Sequence, residues 1–503
     1  MGTTFKPWAR TLSTCFTPKT DTFDNALDFL IDATPGNENP NGMSNSPTNA
    51  LADQKRRNFY IFVIAFTAAI GGFLFGYDLS LIGVTNMYLK EQFNLTDEML
   101  GFSTGSAALG CVFGPFLGAW LCDSIGRERT MIVAALLLAV GAILTALAPG
   151  IFIFNTFRIV GGIGVGICSI ASPMYIAEIA PAKMRGKLGV TYQLAIVVGA
   201  TAAPLAGYLI LKFFPETTAW RWMFASQMLV IFVITPLLLF IPSSPRWLAQ
   251  KGRFDEALDV LKKVHGPEIA QSELEEIKAS LNQEVGGFRE LAMPGIRYAL
   301  LIGLILAFFN NWTGWSAMAS YIPILFEMAG VEQRNVAILQ FAITYLAMAI
   351  VTIGSMWLID RVGRRPLWII ASLMMAFVTV LTGLVFAMQI RGPALLLVIT
   401  LCTVPHGLAL GALPWLMMSE IFPNRIRAKA VAVTTTFLWL MIFAASQTFP
   451  LLIGYSQRTI GSPAGAFWFA AVICVASAIF GWKMLPETKG RSLENIGNSW
   501  QRH

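Results

Sequence analysis

From Phe59 onward the chain passes through twelve apolar stretches, at about 59–82, 100–121, 131–148, 150–172, 187–211, 221–241, 297–322, 336–359, 367–389, 393–418, 429–453 and 464–485. Each comes close to the roughly 20 residues that a helix, rising about 1.5 Å per residue, needs to cross about 30 Å of hydrocarbon. Lipid offers no partner to backbone N–H and C=O groups, so such stretches must close their hydrogen bonds internally, as helices. Composition agrees. Charged residues make up 13% of the 503, against 55% hydrophobic, whereas a soluble domain is roughly a quarter charged. The expected class is an all-α integral membrane protein with twelve transmembrane helices.

The loops orient these helices. Lys55, Arg56 and Arg57 precede the first stretch; Arg127 and Arg129 follow the second, and Lys183, Arg185 and Lys187 the fourth. Arg361, Arg364 and Arg365 follow the eighth, and Arg425, Arg427 and Lys429 the tenth. The alternate loops are short or poor in Lys and Arg, which places both termini and the long loop 243–296 in the cytoplasm. Ala257, Leu258, Leu261 and Val264 give that loop helical spacing, predicting short surface helices. The organisation expected is a disordered tail over 1–57, a six-helix bundle over 58–242, a helical linker over 243–296, a second bundle over 297–485 and a tail over 486–503.

The net charge of +7 lies in short clusters between apolar runs, without interleaved aromatics, so nucleic acid is not an expected partner. Six scattered cysteines show neither CxxC nor Cys/His ligand spacing, leaving no case for a disulfide framework or a metal site. No HExxH, nucleophile elbow or catalytic cluster occurs within the spans, which argues against an enzyme.

The halves repeat. AEIAP (Ala177–Pro181) precedes Arg185 as SEIFP (Ser419–Pro423) precedes Arg427. Asp123, Gly126 and Arg127 are echoed by Asp360, Gly363 and Arg364. Two matched groups of six spans fit parallel bundles around a midplane cavity.

Several segments carry a family resemblance: GGFLFGYD (Gly71–Asp78), Arg158 with the glycines Gly161, Gly162, Gly164 and Gly166, PMYIAEIAPAKMRGKLG (Pro173–Gly189), SPRWL (Ser244–Leu248), DRVGRR (Asp360–Arg365), PWLMMSEIFPNRIRAKA (Pro414–Ala430) and PETKGRSLENI (Pro486–Ile496). In this order the chain resembles the sugar porters of the major facilitator superfamily over nearly its whole length after the tail. The resemblance implies that fold, alternating access, a sugar or related polyol as substrate and the proton as coupling ion, with no other cofactor.

Asp78 and Arg158 are the most deeply placed charges. Each costs at least about 2.5–3.5 kcal/mol at mid-bilayer unless paired or wetted, so they are expected to be partners. Either the pair is static, or protonation of Asp78 releases Arg158 and lets the bundles re-pack. Proton-coupled members of the family carry an aspartate here. Asp123, Arg127, Glu178 and Arg185, with Asp360, Arg364, Glu420 and Arg427 in the second half, read either as helix caps and topology signals or as an ion-pair latch that opens with the inner gate. In the first copy Ser124 and Glu128 stand where the family commonly has basic residues.

For substrate the resemblance points to Phe75, Gln193, Trp415 and Trp439, and in the seventh span to Asn310, Asn311 and Ser316. There the family commonly has Gln-Gln-x-Ser/Thr-Gly-x-Asn, so the amides here are one methylene shorter; Leu438 likewise replaces a usual amide. Trp312 and Trp315 either fill the cavity or face lipid. A lone His406 in the tenth span reads as a packing residue, and the glycines of the fourth span as close helix packing rather than a nucleotide loop. The function expected is proton-coupled monosaccharide or polyol symport, by a monomer of the plasma or bacterial inner membrane. Uncoupled facilitation is the nearest alternative, a sugar sensor a more distant one.

Overall fold

The computed structural model describes residues 47–181, 184–281, 287–423 and 425–489. Among them every regular element is helical, and twelve helices are long and apolar enough to cross a membrane. The first six are Arg56–Gln92, Asp97–Ile125, Arg127–Ala146, Ile151–Ile179, Thr191–Phe213 and Glu216–Leu238. The second six are Ile296–Ala319, Arg334–Ile359, Arg364–Ala387, Pro393–Met418, Arg427–Ile460 and Ala464–Lys483. Residues 1–46 and 490–503 of the expected tails lie outside the described residues. The first helix begins at Pro47 and continues to Gln92, so the tail boundary drawn at 57 falls inside a helix, and the span outlasts the apolar run by about ten residues. Hydropathy marks where oil begins; the hydrogen-bond ladder continues past it.

Within each half the helices approach closely where glycine removes the obstacle. A Cβ on Gly76 would lie 1.8 Å from the carbonyl oxygen of Ile196, and one on Gly199 2.1 Å from that of Phe73, so spans one and five touch backbone to backbone. The fourth-span glycines divide between two neighbours: Gly162 and Gly166 admit the second span, Gly161 and Gly164 the third. Without a hydrophobic force between helices in lipid, such close packing supplies much of the attraction.

Between the halves, span two packs against span eleven and span five against span eight. Advancing each number by six exchanges these two contacts, as an internal two-fold repeat requires. The linker forms Pro245–Gln250, Phe254–His265 and Pro267–Leu281, then a turn of 3₁₀-helix at Phe288–Ala292. Of the stripe its spacing predicts, Phe254–His265 buries Ala257, Leu261 and Val264 and half-buries Leu258.

Spans two and six break briefly, at Val112–Phe113 and at Ser226; the breaks in spans seven and ten line the centre. The expected continuous helix over 297–322 stops at Trp312, turns through Gly314 (φ 106°) and resumes over Trp315–Ala319. In the tenth span His406–Leu410 is one π-helical turn, the Gly411 N–H donating to the His406 carbonyl at 2.8 Å.

Candidate functional site

Asp78 and Arg158 face one another inside the first half. Arg158 donates to Asp78 Oδ1 at 2.5 Å, and both side chains are 5% exposed or less. Gln227, from the sixth span, donates to the same oxygen at 2.9 Å, and the Phe224 ring lies 5.3 Å from the guanidinium carbon. Asp78 Oδ2 and Arg158 Nε and Nη2 are buried without partners. Two charges thus hold each other in a site with little further solvation, where neutralising one alters what the other must do.

Between the halves lies a cavity of ≈ 160 Å³. A water needs about 10–15 Å³ on this measure, so the space suits on the order of ten non-hydrogen atoms, the size of a monosaccharide. Phe75, Gln193, Asn310, Asn311, Ser316 and Trp415 line it, with Trp315, Tyr345, Thr352 and His406. No Asp, Glu, Lys or Arg is among the described lining residues, which favours an uncharged ligand. Much of the seventh span's donor capacity is already committed. Asn310 Nδ2 donates to the Leu410 carbonyl at 2.7 Å, Asn311 Nδ2 to Ala307 and Ser316 Oγ to the Asn310 carbonyl. A π turn displaces carbonyls from their usual partners, and Asn310 bonds one of them, tying span seven to span ten.

At one end of the bundle the two halves repeat a four-part arrangement. Arg127 donates to Glu178 at 2.9 Å and Arg364 to Glu420 at 3.2 Å. The other carboxylate oxygen takes a hydroxyl from the segment after the sixth or twelfth span, Ser244 on Glu178 and Thr488 on Glu420 at 2.6 Å. Gly126 and Gly363 adopt nearly identical left-handed conformations (φ 98° and 103°), and a carboxylate lies against each. In the second half it belongs to Glu487, which accepts the N–H groups of Arg364 and Arg365. Burial raises the Glu487 carboxyl, but these donors and the Lys489 N–H hold it below its ordinary value. In the first half the carboxylate belongs to Glu128, which accepts Ser243 Oγ at 2.8 Å. Ser243 holds the place corresponding to Glu487, so the acidic group of this turn has moved from the segment after span six to the start of span three.

At the opposite end the halves are tied together. Arg334, at the start of span eight, pairs with Glu327 of its own half at 3.2 Å, and with Glu91 and, at 3.1 Å, Glu216 of the other. Asn86 donates to the Ser320 carbonyl at 2.8 Å and Gln447 to that of Glu98 at 3.0 Å.

The family model described as "Sugar (and other) transporter" matches residues 64–500. The chain belongs to this transporter family. It is 35% identical to the arabinose-proton symporter of Bacillus subtilis over 468 residues, covering 91% of this chain and 100% of the relative. It is 34% identical to the D-xylose-proton symporter of Escherichia coli over 475 residues, covering 88% and 96%. Among solved structures it is similar to the proton:xylose symporter XylE bound to 6-bromo-6-deoxy-D-glucose, with a TM-score of 0.76 at 33% identity over 88% of this chain and 100% of that one. It is equally similar to an inward open conformation of the xylose transporter XylE from E. coli, with a TM-score of 0.77 at 32% identity over the same shares.

As a transporter of the major facilitator superfamily, a multi-pass membrane protein acting on small molecules, the chain departs from the expected site at several points. Trp439 does not reach the cavity: it is fully buried behind Phe75, their rings 5.2 Å apart. Span eleven turns Leu438, not Trp439, to the cavity. The two tryptophans of span seven separate, Trp315 lining the cavity and Trp312 stacking on Phe308. Asp123 is largely exposed, 3.6 Å from Arg127, and Arg427 donates to the Phe422 carbonyl. Arg127–Glu178 joins span three to span four and Arg364–Glu420 joins span nine to span ten, each pair within its own half. The side chains of Arg185 and Asp360 lie outside the described residues. Sequence reasoning missed Gln227 and Arg334 with its three carboxylates; His406, read there as a packing residue rather than a proton relay, lines the cavity. A glutamine inside an apolar run was the available signal for Gln227; for Arg334 only Glu327 lies nearby in sequence, its partners Glu216 and Glu91 being 118 and 243 residues away.

Proposed function

We propose that this transporter carries a neutral monosaccharide or related polyol together with a proton, by alternating access and as a single copy. One observation carries the reading: a buried, under-solvated Asp78–Arg158 pair lies in the same bundle that lines a central cavity without fixed charge. The relatives named as arabinose-, xylose- and galactose-proton symporters support the substrate class and the coupling. Protonating Asp78 removes the charge that holds Arg158 and changes the relative energies of the states, which a coupling ion must do. No further cofactor is required, and because one chain supplies the whole cavity, no second copy is needed.

The basic loops support cytoplasmic termini, which makes the Arg334 end the outer one and the described conformation closed to the outside. The first test is uptake into proteoliposomes of pentoses, hexoses, inositols and sugar acids, with and without an imposed pH gradient. Neutral sugars are expected to accumulate only with the gradient, and to equilibrate once a protonophore is added. Accumulation that persists with the protonophore would leave an uncoupled or differently coupled carrier.

Outer closure gives a second test. Glu91 and Glu216 are mostly exposed, so their pairs with Arg334 are worth together about 1 kcal/mol, a roughly fivefold shift between states. Arg334→Gln should therefore enrich the outward-open form. Spin labels on cysteines replacing the exposed Leu147 and Met388 read the outer separation, the five described native cysteines being buried. An unchanged distance distribution would remove Arg334 from the gate.

A further inference from the structure

We infer that His406 is a substrate-contacting, specificity-determining residue, its Nε2–H donating a hydrogen bond to an oxygen of the bound sugar; the assignment rests on the transport reading above.

His406 opens the π turn of span ten and lines the central cavity, with its ring 5.9 Å from that of Trp315. The side chain is 8% exposed, and Nδ1 is buried with no partner. An orphaned buried N–H is rarer than an orphaned acceptor, so the neutral ring keeps its lone pair on Nδ1 and its proton on Nε2. Gly411 decides what Nε2 meets. A Cβ at Gly411 would stand 2.7 Å from Nε2, and Gly411 itself lines the cavity. The glycine therefore leaves uncovered the one edge of the ring that carries a proton. The π turn aids this, since the extra residue in the turn changes which side chains of span ten face inward.

The rest of the cavity gives such a donor a task. The Asn310 and Asn311 amide nitrogens and the Ser316 hydroxyl already donate to backbone carbonyls, so span seven offers a ligand chiefly oxygen acceptors. Leu438, facing in from span eleven, offers neither donor nor acceptor. A polyol carries both hydroxyl protons and oxygen lone pairs, so it needs donors as well as acceptors around it. His406 supplies a donor from span ten, beside the apolar face of Trp315.

The test compares wild type, His406→Phe and His406→Gln in proteoliposomes, using the neutral sugar that wild type transports best and its monodeoxy analogues. Phe removes the donor and keeps a ring; Gln restores an N–H. Losing one such bond is expected to raise KM about tenfold in the Phe variant with little change in maximal counterflow. The Gln variant should recover most of the loss. One deoxy analogue should be transported equally by wild type and the Phe variant. Equal KM for the parent sugar in wild type and Phe variant, or a Gln variant no better than Phe, overturns the assignment. The chain has three histidines, so ¹⁵N-histidine NMR of the wild type gives a reading independent of variant folding. The His406 signal, identified by its loss in the Gln variant, should report the Nε2–H tautomer and move on adding sugar; a signal that stays put under saturating sugar also overturns it. A wild type that takes up sugar while these comparisons fail sinks only the His406 role. A wild type that takes up no sugar sinks the transport reading and this role with it.

Discussion

Replacing Asp78 with Asn is expected to abolish sugar accumulation under an imposed pH gradient, bringing the internal level down to the external one, while sugar exchange across the membrane continues. The side chain keeps its shape but is permanently neutral, as if the proton had been bound and could never leave. Substrate can still cross with a carrier in that condition, because exchange needs only that the loaded form reorient. Net accumulation also needs the proton to be released inside, and an amide has none to release. The structure adds a cost. Arg158 loses its buried carboxylate partner, and removing one member of a buried pair typically costs about 3–5 kcal/mol. The neighbouring groups soften this, as the Gln227 amide and the Phe224 ring stay in place. A lower unfolding temperature in detergent should therefore accompany the loss of coupling. Gradient-driven uptake and counterflow in the same vesicles separate the two effects. Undiminished accumulation by the variant would remove Asp78 from the coupling step.

Glu178→Gln should produce the larger stability loss at the opposite side of the same bundle. Its carboxylate joins three elements: Arg127 at the start of span three, its own span four, and Ser244 where the linker begins. Both charged side chains are less than a tenth exposed. Once neutralised, the site leaves Arg127 with the Cys122 carbonyl and the distant, solvent-facing Asp123. A cost of about 3–5 kcal/mol is expected, as for any buried charge left without its partner. Glu420→Gln should cost less, because Glu420 and Arg364 are more exposed and Arg364 has further partners. The decisive variant is the double one, Arg127→Gln with Glu178→Gln, which removes both charges and should regain much of the loss. Detergent melting curves of the four proteins would measure this. Equal losses in the two halves, or no recovery in the double variant, would contradict the arrangement described.

Much of this protein was determined by local pattern. The twelve spans follow from runs of apolar residues long enough to cross lipid, because hydrocarbon forces any such run into a helix whatever surrounds it. The Asp78–Arg158 pairing follows from cost, since two opposite charges in oil have few other remedies. The repeated Asp, Gly, Arg and Glu positions announced two similar halves, and the left-handed glycines at 126 and 363 carry that repeat into the backbone.

The tertiary structure alone decided the rest, because it depends on how helices rotate and meet. One step along span eleven separates Leu438, which lines the cavity, from Trp439, which packs behind Phe75; neither hydropathy nor motif sets that rotation. The break at Gly314 and the π turn at His406 were hidden inside runs apolar enough to read as continuous, since their freed carbonyls are bonded by side chains such as Asn310 from another span. Glu128 looked like a departure from the family until the fold placed its carboxylate against Gly126, where Glu487 stands against Gly363. Arg334 adds to nearby Glu327 two carboxylates from the other half, Glu91 and Glu216. Sequence spacing records what lies one helical turn away; contacts between residues hundreds of positions apart exist only once the bundles have packed.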